Sequence, residues 1–146
     1  MAKLDFAEIW VSPSPNLLKF YDFSKGAYEI TQMFLDSLAL VSGYDEIRYA
    51  PVVPMGHSAA ASMPYYFGVR NPEKTLACIS VSGQWPYVRS GNMMPDIWNA
   101  DQNLNEIPCL ETMGEYEAAS TWSKEGLKER QEHPLMPLSM LAVPGE

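Results

Sequence analysis

The chain has 146 residues, 47% hydrophobic and 19% charged. That composition fits a single globular domain, for which roughly 100–200 residues is typical, and excludes a disordered or multidomain layout. Eighteen acidic residues against ten basic ones leave a net charge of −8, a balance that repels phosphate backbones and argues against nucleic acid as a partner. No apolar run approaches the roughly 20 residues of a membrane span, and residues 1–11 lack the basic start and apolar centre of a signal peptide, so the cytoplasm is the default compartment.

Residues 4–11 gather Phe6, Ile9, Trp10 and Val11 ahead of Ser12-Pro13-Ser14-Pro15, a pattern that predicts a short strand and then a loop. Between Ala27 and Ser42 the apolar residues Ile30, Met33, Phe34, Leu38 and Val41 recur at steps of three and four. Gly43 follows at a C-cap position, which predicts an amphipathic helix. Residues 51–55 read as a brief strand, and the small residues from Gly56 to Ser62 as a tight turn leading into a helix.

The nearly continuous apolar run of residues 75–81 predicts a buried parallel strand. Residues 84–106, with Trp85, Pro86, Tyr87, Gly91, Pro95 and four asparagines, show no period and read as a long loop or lid. Residues 107–113 predict another strand, residues 118–132 a polar helix stopped by Pro134, and residues 138–143 a last strand. Cys78 and Cys109 each lie inside an apolar run and read as buried thiols, with neither disulfide nor metal spacing. Strands alternating with helices predict one α/β domain over residues 1–146, with a mostly parallel sheet flanked by helices.

The segment Gly56-His57-Ser58-Ala59-Ala60 carries the chemistry. It is a G-x-S-x-A form of the turn that lifts a nucleophilic serine above the strand ends. The tripeptide G-x-S is common by chance, and its weight comes from the strand running into it and the helix following it. The Ala59 N–H, at the start of that helix, points toward a developing oxyanion. The alternative is an ordinary strand-to-helix turn.

On three stretches the sequence resembles the α/β-hydrolase superfamily, on its esterase and lipase side. They are Pro54-Met55-Gly56-His57-Ser58-Ala59-Ala60-Ala61, Ile79-Ser80-Val81-Ser82-Gly83-Gln84-Trp85-Pro86 and Ile107-Pro108-Cys109-Leu110-Glu111-Thr112-Met113-Gly114-Glu115-Tyr116-Glu117. The resemblance runs from the strand before Ser58 to Glu146, and residues 1–50 match in architecture alone. It implies Ser58 as nucleophile, Ala59 as oxyanion donor and Glu117 as the acid that orients the catalytic histidine, with Glu115 as the nearer alternative. Acids at a helix N-terminus have a purely stabilising role as the competing explanation.

Serine needs an adjacent base, and the chain has two histidines. His57 is the variable residue of the turn, and together with Trp85 it is a candidate pocket residue for substrate. Met93, Met94 and Trp98 are candidates to line an acyl pocket under the loop. His133 falls between the last helix and the last strand, at the expected amino end of the sheet, whereas such sites open at the carboxyl end. In the family the catalytic histidine follows the last strand, where this sequence reaches Pro144-Gly145-Glu146.

The expectation is therefore an incomplete α/β-hydrolase fold, a fragment lacking its catalytic histidine, the family's first strands and its oxyanion loop. It would be weakly active or inactive on ester or related acyl bonds of a small-molecule substrate, and it calls for no cofactor or metal. The alternative is a non-catalytic binding or interaction protein on a degenerate hydrolase fold. Open sheet edges would favour self-association.

Overall fold

The computed structural model describes residues 7–11, 27–83, 103–116 and 121–145. Four strands, β1 (Met55–His57), β2 (Cys78–Val81), β3 (Cys109–Gly114) and β4 (Leu138–Val143), form a parallel sheet in the order β1-β2-β3-β4. Helix α1 (Ala27–Ser42) precedes the sheet, α2 (Met63–Arg70) joins β1 to β2, and α3 (Thr121–Glu132) precedes β4. No helix among the described residues is long and apolar enough to cross a membrane.

The periodicity of residues 27–42 produces the expected helix, ended by Gly43 at φ +78°. Lys74 ties this region to the chain ahead of β2 by donating to Gln32 Oε1 at 2.8 Å and to the Arg48 carbonyl at 3.1 Å.

Of the strand expected at residues 4–11, the described part is not a strand. Residues 7–11 have no regular structure, and Trp10 is 88% exposed. The strand expected at residues 51–55 begins at Met55 instead. Pro51 and Pro54 lack N–H donors, and Val52 makes only an isolated bridge to Thr75. Likewise β2 starts at Cys78, because Thr75 makes only that isolated bridge and the chain bends at Leu76 before the ladder begins.

The register gives the sheet two unlike faces. Gly56, Ser80 and Glu111 align across β1, β2 and β3, as do Cys78, Cys109 and Leu138 across β2, β3 and β4, so these side chains share one face. That face is buried. Tyr65 of α2 reaches Glu111, and Gly126 of α3 lies against Met140, where a β-carbon would stand 2.0 Å from the Met140 sulfur. Both α2 and α3 therefore cover the same side, where the sequence predicts helices flanking the sheet without assigning a face. On the opposite face Met55 and Leu141 are more than half exposed. The core joins Tyr65, Tyr66, Phe67 and Val69 of α2 to Cys78, Cys109 and Leu138. Leu104, inside the segment expected to be a loop, is fully buried in that same core.

Candidate active site

The turn after β1 is sharp for a steric reason. A β-carbon on Gly56 would lie 2.0 Å from the Ala60 carbonyl oxygen and 3.1 Å from Pro64 Cδ, so the chain folds back onto the strand just left. Only glycine admits this contact. The 3-10 segment Ser58–Ala60 makes the turn, Ala61 N–H closes it onto the Ser58 carbonyl at 3.0 Å, and α2 follows.

Ser58 itself sits at φ +53°, a left-handed conformation that a β-carbon disfavours. Strain of this kind at a non-glycine residue persists where surrounding structure imposes it, and such positions gather at functional sites. Ser58 is exposed at the carboxyl end of β1, where parallel sheets place their ligands. The Ala59 N–H opens the turn, among the first donors of a helical segment, which have no acceptor within it.

A second strained serine stands beside the first. Register pairs His57 with Val81, so Ser58 and Ser82 are the next residues out on neighbouring strands, and Ser82 has φ +50°. Its N–H donates to the Thr112 carbonyl at 2.8 Å. Gly83 then passes so close to the start of α2 that a β-carbon would meet Ala61 Cβ at 2.0 Å. The two turns are thereby packed together at the sheet's carboxyl edge.

Neither histidine comes to Ser58. His57 is exposed on the opposite side of β1 from buried Gly56, as strand alternation requires. His133 follows α3 and precedes β4, at the amino end of the sheet and next to the far edge strand, with Nε2 3.7 Å from Glu129 Oε2. Glu115 lies just beyond β3, its N–H bonded to the Val143 carbonyl at 2.9 Å. Its exposed carboxylate accepts from Gly145 N–H at 3.2 Å, so it touches the chain leaving β4. Glu117, Trp85, Met93, Met94 and Trp98 lie outside the described residues.

Beneath the turn is a buried polar group that the sequence reading left without a role. Glu111, in the middle of β3, is fully buried and accepts a hydrogen bond from the Tyr65 hydroxyl, with Ser80 beside it in register. Burial, followed by the Glu111 carboxylate, raises the Tyr65 pKa well above the usual phenol value, so the hydroxyl stays a donor. The sequence signal was a lone acid inside the apolar run Cys109-Leu110-Glu111-Thr112-Met113. Both cysteines are buried thiols. A hydrogen bond with Cys78, together with burial, raises the Cys109 pKa far above the thiol range, which keeps it protonated and unreactive.

No protein-family model, curated protein or solved structure matches the chain.

Proposed function

We propose that this chain carries the nucleophile and oxyanion parts of a serine hydrolase acting on ester or related acyl bonds. The observation that carries the reading is the left-handed Ser58 at a strand-to-helix turn closed against Gly56. Resemblance to the α/β-hydrolase superfamily assigns the remaining roles.

In this reading Ser58 Oγ attacks the acyl carbonyl, the Ala59 N–H stabilises the tetrahedral oxyanion, and the bond to the leaving group then breaks, the serine proton passing by way of a base to the departing alcohol. Water then hydrolyses the acyl-enzyme and releases a carboxylic acid. The acid that orients the base is Glu117, with Glu115 as the nearer alternative. The substrate is a small acyl compound, with His57 and Trp85 as pocket residues. Neither histidine of the chain stands by Ser58, so among the described residues no imidazole takes its proton, and the reading expects low turnover.

Free imidazole supplies the missing base, so labelling by an aryl fluorophosphonate tests the reading. Ser58 Oγ bonds to phosphorus, fluoride leaves, and imidazole takes the proton. The expected result is one adduct by intact mass, formed faster with imidazole and absent from Ser58→Ala. No adduct, or an equal adduct in the variant, overturns it. The second reading, a non-catalytic binding protein on this sheet, is favoured by the placement of both histidines away from Ser58 and takes the lead if labelling fails.

A further inference from the structure

We infer that β4 is a docking edge for a second copy of this chain, which adds its own β4 antiparallel to form a continuous sheet across a two-fold axis. The inference rests on the sheet and is independent of the proposed catalysis. Among the described residues β1 and β4 are the outer strands. Sheets protect such edges with short strands, prolines or charges. The β1 edge is three residues long and follows Pro54 directly. The β4 edge is twice that length, and Leu138-Ser139-Met140-Leu141-Ala142-Val143 contains no charge and no proline.

The backbone directions along β4 follow from its partner. Cys109 N–H donates to the Pro137 carbonyl and Glu115 N–H to the Val143 carbonyl, each at 2.9 Å. Alternate residues from Pro137 to Val143 thus turn their polar groups toward β3, and Leu138, Met140 and Ala142 turn theirs outward. Leu138 N–H, consistent with this, makes a local bond to the Met136 carbonyl instead. Among the described residues no strand pairs with the outward ladder groups of Met140 and Ala142, and the side chains of Ser139, Leu141 and Ala142 are exposed beside them.

A second copy fits because the edge is self-complementary. With the two-fold axis at Met140, its backbone exchanges both hydrogen bonds with its own counterpart, and the Leu138 carbonyl accepts from the Ala142 N–H of the other copy. On the open face Ser139 lies opposite Leu141, the arrangement a closed, isologous dimer requires. No charged side chain enters the seam. The net charge of −8 repels the two copies at a distance, so added salt strengthens the association.

Light scattering on the intact chain, after size exclusion over a range of concentrations, tests this. The expected mass rises from 16.4 kDa toward twice that value with concentration, and more readily at high salt. Ala142→Pro removes an outward N–H and leaves the β3 ladder intact, so it should raise the dissociation constant about tenfold or more. The double variant Ser139→Cys, Leu141→Cys should form an intermolecular disulfide on mild oxidation with diamide. A monomer at every concentration, or a dimer unaffected by Ala142→Pro and not trapped by those cysteines, overturns the inference. Unchanged circular dichroism of Ala142→Pro separates loss of the edge from loss of the fold.

Discussion

The Tyr65 hydroxyl of α2 donates to the Glu111 carboxylate of β3, joining residues 46 positions apart inside the core. It is one of the contacts that hold the helix after the Ser58 turn onto the sheet. Tyr65→Phe keeps the ring and withdraws a donor from a fully buried acid, a change that costs about 1–3 kcal/mol. Urea unfolding of the variant, compared with Glu111→Gln and the double variant, measures the loss. A coupling energy near zero in that cycle would mean the hydrogen bond contributes nothing.

Alkaline stability follows from the same contact. The folded Tyr65 pKa is raised, so its stabilising contribution is fully present below the unfolded phenol value near 10 and is lost as pH rises through the folded value. Tyr66 behaves alike, with burial pushing its phenol up to about 12. Stability should therefore decline above about pH 10. Tyr65→Phe should make that decline shallower, as followed by unfolding midpoints across the alkaline range.

Strain at Ser58 is measurable as stability. Ser58→Gly removes the β-carbon that opposes φ +53° and should stabilise by about 0.5–1 kcal/mol, with Ser58→Ala giving no such gain. Equal midpoints for the two variants would show that the turn holds no strain.

Gly56→Ala forces a carbon against the Ala60 carbonyl, where backbone has no flexible end to move aside. A loss of about 3 kcal/mol or more is expected, read as a lowered thermal midpoint or failure to accumulate folded protein. A variant as stable as the parent would contradict the sharpness of the turn.

Turnover of an activated ester by the chain alone should fall on the order of 10⁴-fold below a complete triad. A p-nitrophenyl ester assay, with and without imidazole, reads this directly. Strong Ser58-dependent hydrolysis without imidazole would mean a base exists that neither His57 nor His133 explains.

The residues 27–42 helix, the β4 strand, the parallel pairing and the Ser58 turn were all legible in the sequence. Each is set by local rules: apolar spacing, a glycine stop, small residues where the chain must fold back. Glu111 shows where such rules end, because a lone acid in an apolar strand declares neither its burial nor its partner, and Tyr65 is 46 residues away. The tertiary structure alone decided that α2 and α3 share one face, that Leu104 belongs to the core, and that Ser82 stands beside Ser58 with the same strained backbone. Those facts depend on register between strands distant in sequence, and register is fixed by packing across the sheet rather than by any one segment.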